Sequence, residues 1–210
     1  MQQSNLAKDR ILNKIKQALV HPVPLPFTAN NEKNDPFFQK NDEELTILFA
    51  ENFTQLQGRF VYCENENDAA QQIFTLINTR KWQKIFCKEA ACLSIIPQLL
   101  LTDNLAIADA GITTCEALVA RTGSFMLSSA NESGRTASVY APVHICIAYT
   151  NQLVYDIKDA LTLVQEKYKQ TTIPSMLSLA SGPSRTADIE KTLVVGVHGP
   201  KEVFCFLIEK

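Results

Sequence analysis

The sequence predicts an α/β fold in three layers, built around a mixed, mostly parallel sheet. Three observations carry that expectation. From residue 42 onward, segments of helical periodicity alternate with short apolar runs across short connections. The later runs, such as Ile145-Cys146-Ile147-Ala148 and Leu193-Val194-Val195, are further apolar segments that read as strands. The chain has 210 residues, of which 46% are hydrophobic and 20% charged, enough for a substantial core in one globular domain.

The first element is a helix: Leu6, Ile11, Leu12, Ile15, Ala18 and Leu19 recur at near-helical spacing, with most charges elsewhere. His21-Pro22-Val23-Pro24-Leu25-Pro26 cannot continue it, and Asn30-Asn31-Glu32-Lys33-Asn34-Asp35 is turn-prone. Residues 1–40 therefore read as a helical arm and linker, and 41–210 as the α/β domain. Such an arm could pack on a partner subunit, as in a homo-oligomer, or fold back on its own domain.

Residues 42–57 follow as a helix with a stripe of Leu45, Leu48, Phe49 and Phe53. Next come a strand (59–63), a helix (68–78), a strand (84–88), a helix (89–100) and a strand (105–108). The middle changes character: 112–120, 124–129, 136–140 and 144–150 are successive apolar segments punctuated by Gly123 and Gly134. They extend the sheet in mixed or antiparallel fashion, and the first could instead be a short helix. A helix over 156–168 and strands over 176–180, 193–197 and 203–208 complete the domain.

Composition excludes several classes. Net charge is −2 with a pI near 5.9, so there is no basic footprint for nucleic acid. Residues 1–20 lack the apolar centre of a signal peptide, and no run approaches the ~20 apolar residues of a membrane span. A cytoplasmic protein is expected. Cys63, Cys87, Cys92, Cys115, Cys146 and Cys205 form no C-x-x-C pair and lie mostly in apolar runs. They read as buried structural thiols rather than disulfides or metal ligands. The sequence holds no phosphate loop, no nucleophile elbow and no His or carboxylate pair at metal-ligand spacing.

Chemistry concentrates near the C-terminus. One apolar run ends in Ser181-Gly182-Pro183-Ser184-Arg185-Thr186-Ala187-Asp188-Ile189-Glu190, and the next ends at His198-Gly199-Pro200. Hydroxyls, a guanidinium fork and glycine-freed amides together suit a carboxylate or phosphate. Ligands of open α/β sheets bind beyond the carboxyl ends of strands. By that rule the loop at Asp109 and Thr113, the turn of Ser184, Arg185 and Thr186, and His198 share one rim. Each has a plainer reading. Arg185 could pair with Asp188 or Glu190, Ser184 could cap a helix over 186–190, and His198 could be a strand-end hydrogen-bonding group. His144 faces that rim only if its strand runs the right way.

The run Gly182-Pro183-Ser184-Arg185-Thr186-Ala187-Asp188-Ile189-Glu190, followed by Leu193-Val194-Val195-Gly196-Val197-His198-Gly199-Pro200, resembles the signature of the lactate utilization protein C family, whose core is the LUD domain. Ala120-Arg121-Thr122-Gly123-Ser124 and Pro142-Val143-His144-Ile145 add weaker support. The resemblance covers the second half of the chain well and the first half only in layout. It implies a fold similar to sugar-phosphate isomerases, CoA transferases and formyltetrahydrofolate cyclo-ligases. It also implies a place in L-lactate oxidation to pyruvate, beside iron–sulfur lactate utilization proteins that carry the clusters, so that this chain binds no cofactor of its own. Arg121 departs from the family pattern, in which an acidic residue precedes Thr-Gly.

Two readings follow. In the first, Ser184, Arg185, Thr186 and His198 bind a small anionic metabolite, with Asp109, Thr113, Thr122, Gly123 and His144 nearby and His198 exchanging protons. In the second, suggested by similarity to CoA transferases, Glu116 is the nucleophile of a stand-alone CoA-transferase-like or cyclo-ligase-like enzyme. Glu116 also has a structural or solvent-facing reading. The residues leave open whether the chain is itself catalytic or a binding subunit of a complex.

Overall fold

The computed structural model describes residues 2–20, 44–97, 100–189 and 192–210. The proline-rich linker and Glu190 lie outside the described residues. The chain separates into two compact units, Met1–Lys40 and Asn41–Lys210. In the first, α1 (Gln2–Leu19) is the described element, and Ile11, Leu12 and Ile15 on it are exposed. No helix among the described residues is long and apolar enough to cross a membrane.

The second unit contains α2 (Leu45–Gln55), β1 (Arg59–Cys63), α3 (Glu66–Arg80), β2 (Ile85–Phe86), α4 (Ala90–Leu93), β3 (Ala110–Thr114), β4 (Ala117–Val119) and β5 (Ser124–Ser128). It continues with α5 (Ala137–Tyr140), β6 (Val143–Tyr149), β7 (Leu153–Val154), α6 (Ile157–Lys167), β8 (Leu177–Ala180), β9 (Arg185–Ile189), β10 (Thr192–Val195) and β11 (Glu202–Ile208).

A mixed α/β architecture results, but with its strands divided differently from the expectation of one mixed sheet. Five strands form an all-parallel sheet in the order β1-β11-β6-β3-β2. Four form a mixed sheet in the order β7-β4-β5-β8, and β9 with β10 forms a separate antiparallel ribbon.

Side-chain alternation decides how these pieces stack. Ile112, Ile145, Ile147, Phe204 and Phe206 face one side of the parallel sheet and pack against Ala69, Ile73 and Ile77 of α3. Cys146, Ala148, Val203, Cys205 and Leu207 face the other side, against Phe49 and Phe53 of α2 and against Leu118, Phe125 and Leu127 of the mixed sheet. Ala117, Val119 and Met126 point away from that contact and are covered by Ala160 and Val164 of α6. One face of the parallel sheet is thus covered by a second sheet together with a helix, where three layers would have put helices alone. The apolar alternation in β4 and β5 makes this possible: both their faces carry core residues.

Several sequence-predicted elements differ: among the described residues, the helix expected over 89–100 forms only over Ala90–Leu93, and the segment expected over 112–120 is divided between β3 and β4. Residues 105–107 form a single 3-10 turn capped by the Asn104 side chain, not a strand. Residues 137–140 form a helical turn rather than a strand. Residues 185–189 pair with β10 instead of starting a helix, so no helix N-terminus forms at Ser184.

Candidate functional site

Two turns lock together at the amino end of the parallel sheet. The Ser184 N–H donates to the Pro200 carbonyl at 2.9 Å, and the Gly196 N–H donates to the Ser184 carbonyl at 2.8 Å. Gly199 has to be small here, because a Cβ on it would fall 2.7 Å from the Ser184 Cβ. Gly182 turns the chain with φ +99° at a point where a Cβ would meet the Leu56 carbonyl oxygen at 2.5 Å. The glycines of this motif therefore set how closely the turns approach.

A cleft of about 170 Å³ opens between the two sheets at this point. Its polar side chains are Ser138, Ser178, Ser184, His144 and His198. Leu127, Ala180 and Val203 supply apolar wall. Ser178 and Leu127 are directly opposed across β8 and β5, and His144 is opposed to Val203 across β6 and β11, which is why they line one space. The cleft is smaller than the ~300–1,000 Å³ of drug-sized sites and suits a small metabolite.

His144 is the buried centre of this arrangement, at 1% exposure. Its Nε2 lies 2.9 Å from the Thr113 hydroxyl, and its ring meets Phe125 edge-on with centroids 5.5 Å apart. Burial holds its pKa down to about 4, so the ring is neutral at pH 7. A neutral imidazole keeps one donor and one acceptor nitrogen, and the Thr113 hydroxyl can serve either tautomer. The ring lines the cleft, and Nδ1, which makes no hydrogen bond among the described residues, is the atom left for a ligand. His198 differs: it is exposed, at the mouth.

The structure thus brings together Ser184, His198, His144 and, through His144, Thr113. It does not bring the other predicted residues into the cleft. Arg185 begins β9 opposite Val195 with its side chain exposed, and Thr186 is half-buried opposite Val194; neither lines the cleft. Asp109 precedes β3, where its carboxylate accepts the Gln83 and Lys84 N–H groups at 2.7 and 2.9 Å and so ties down the start of β2.

Gly123 serves a helix contact instead of a ligand. It has φ +55°, and a Cβ there would lie 2.4 Å from the Phe53 nitrogen. The adjoining Ala120 carbonyl accepts the Asn52 amide at 2.9 Å, so residues 120–123 dock on α2. Thr122 lies in the same segment, its hydroxyl oxygen buried with no partner among the described residues. Arg121 pairs with Asp156, the N-cap of α6.

Glu116 belongs to another region. Its side chain is 1% exposed and accepts the Lys167 ammonium at 2.7 Å and the Tyr168 hydroxyl at 2.8 Å. It lines a separate space with Gln152, Leu163 and Lys167. A carboxylate already neutralised in this way is poorly suited to nucleophilic attack.

The rim was also expected at the wrong end. The turns at 181–186 and 196–200 follow strands that lie outside the parallel sheet, and they return to the amino ends of β6 and β11. At the carboxyl end, the buried Glu89 accepts the Thr114 N–H at 2.7 Å and also its hydroxyl. Sequence reasoning missed Ser138 and Ser178; Ser178 sits in an apolar run with Ala180 two residues on, the small-residue pattern of a strand facing open space. All six cysteines are buried and free of disulfides.

Comparison with known proteins fits this picture. Lactate utilization protein C of Shouchella clausii is 37% identical over 106 residues, covering 50% of this chain and 46% of that protein. Lactate utilization protein C of Bacillus subtilis is 34% identical over 102 residues, covering 48% and 42%. An uncharacterized protein of Neisseria meningitidis serogroup B is 39% identical over 100 residues, covering 48% and 42%. Each match thus spans under half of the relative's length. A crystal structure of a DUF162 family protein from Deinococcus radiodurans superimposes with a TM-score of 0.60 at 16% identity, covering 81% of this chain and 99% of that one, which shows a shared fold. The LUD domain model matches residues 97–208, more than half of the chain and the segment that builds the cleft. The chain belongs to the LUD domain family.

Proposed function

We propose that this protein is a cytoplasmic component of a system that oxidises L-lactate to pyruvate, acting with iron–sulfur partner proteins. Its own part is to hold the small hydroxy acid or keto acid in the cleft of Ser184, His144 and His198. One observation carries the reading. The LUD domain match spans residues 97–208, which include both of the turns that lock to form that cleft, and relatives named for lactate utilization match about half of the chain.

The chemistry suits the ligand pair. Serine hydroxyls can donate to a carboxylate. A neutral His144 can accept from the hydroxyl of lactate or donate to the carbonyl of pyruvate, with Thr113 adjusting to either tautomer. His198 lines the mouth, and in this reading it completes the anion's hydrogen bonds or exchanges a proton with the ligand. Clusters in partner proteins agree with the use of all six thiols in packing this chain's core. At fold level, the likeness to sugar-phosphate isomerases and CoA transferases belongs to the same proposal. The Glu116 ion pair supports a binding role over a glutamyl-nucleophile enzyme.

The test is thermal and chemical unfolding with lactate or pyruvate added. An acid present at 100 times its dissociation constant adds about 2.7 kcal/mol of stability. Ser184→Ala and His198→Ala are expected to lose this gain, and Glu116→Gln to keep it. No stabilisation by either acid, or loss only in Glu116→Gln, overturns the proposal.

A further inference from the structure

Beside the cleft lies a second and larger space of about 510 Å³. Val139, His198 and Gly199 line both, so His198 stands in the wall between them. The walls of the outer groove are apolar and open: Tyr140 is 71% exposed, Val197 44% and Val139 43%. Pro142 and Gly196 complete its floor.

Lys201 gives this groove its charge. Its N–H donates to the Pro142 carbonyl at 2.8 Å, fixing the backbone at the groove. Its stem crosses Gly196, which has φ +78° and where a Cβ would fall 2.2 Å from the Lys201 Cγ. A side chain at 196 would thus displace the lysine. Among the described residues, Lys201 makes no salt bridge and no carboxylate lines either space. The neighbouring Glu202 is held by Arg59 and Arg80. The groove is within the ~300–1,000 Å³ range of ligand sites, combining apolar walls, one exposed aromatic ring and one lysine side chain.

We propose that this outer groove is a binding site for a ring-bearing organic anion, whose rings pack on Tyr140 and Val197 and whose carboxylate, sulfonate or phosphate meets Lys201. Such a molecule would lie against the small acid across His198. In that respect the inference rests on the function proposed for the inner cleft, although the outer site stands by itself.

The probe is 8-anilino-1-naphthalenesulfonate, titrated by fluorescence into the full chain. Saturable binding is expected, weakened about tenfold or more in both Lys201→Gln and Tyr140→Ala. Ser184→Ala is expected to leave dye binding intact while losing stabilisation by lactate or pyruvate, and Lys201→Gln to show the reverse. That crossed pattern separates failure of the outer site from failure of the inner one. Absence of dye binding, or equal binding in wild type and both groove variants, overturns the proposal. Equal binding would put the dye elsewhere, for example on the apolar stripe of α1.

Discussion

Acid is expected to destabilise this protein through one buried ring. His144 has an ordinary pKa of 6.5 and is held at about 4 in the fold because burial disfavours its charged form. Between those values the unfolded chain carries the proton and the folded chain does not. The unfolded state then binds more protons, so stability falls as pH drops through this window. The loss from this group is about 2 kcal/mol at pH 5 and about 3 kcal/mol below pH 4. It is absent above the unfolded value.

The assay is urea unfolding of the wild type and of His144→Gln at about pH 7.5 and about pH 5, comparing the two losses. Carboxylates and the other histidines titrate in both proteins and cancel in the comparison. The wild type is expected to lose about 2 kcal/mol more than the variant. Equal losses would refute the reasoning. If the variant does not fold, the imidazole of His144 can be followed directly by NMR in the wild type. A midpoint near the ordinary histidine value would refute it equally.

Further perturbations test the packing and the placement of the site. Gly123→Ala puts a Cβ against the backbone of α2 at a left-handed φ, and is expected to cost about 3 kcal/mol, read as a lower urea midpoint. Glu116→Ala removes the acceptor of Lys167 and Tyr168; because Lys167 is 59% exposed, the expected cost is only about 1–2 kcal/mol, seen as a lower melting temperature with acid binding at the cleft retained. Gly199→Ala pushes on Ser184 and is expected to abolish stabilisation by lactate or pyruvate while circular dichroism stays native.

Much of the fold was legible in the chain. The apolar runs of β6 and β11 and the helical stripes of α2, α3 and α6 are periodic signals that survive without context. The signals failed where local preference was weak. Residues 105–107 are apolar but too few to hold a strand against the Asn104 cap. Residues 185–189 lack a strong pattern, and their pairing with β10 was decided by a partner rather than by propensity. The site divides in the same way. Ser184 and His198 stood out because small residues and glycines surround them, and the packing of Gly199 on Ser184 shows why those glycines are needed.

The sequence by itself determined which residues are apolar, where glycine must stand, and which two turns gather serine, glycine and histidine, because these follow from composition, periodicity and backbone freedom. Only the tertiary structure decided that the turns meet at the amino end of the parallel sheet, that Arg185 stays outside, and that His144 is neutral. Those outcomes depend on strand order, on which sheet covers which face, and on exclusion of water from a ring. All are long-range properties that no local stretch of residues encodes.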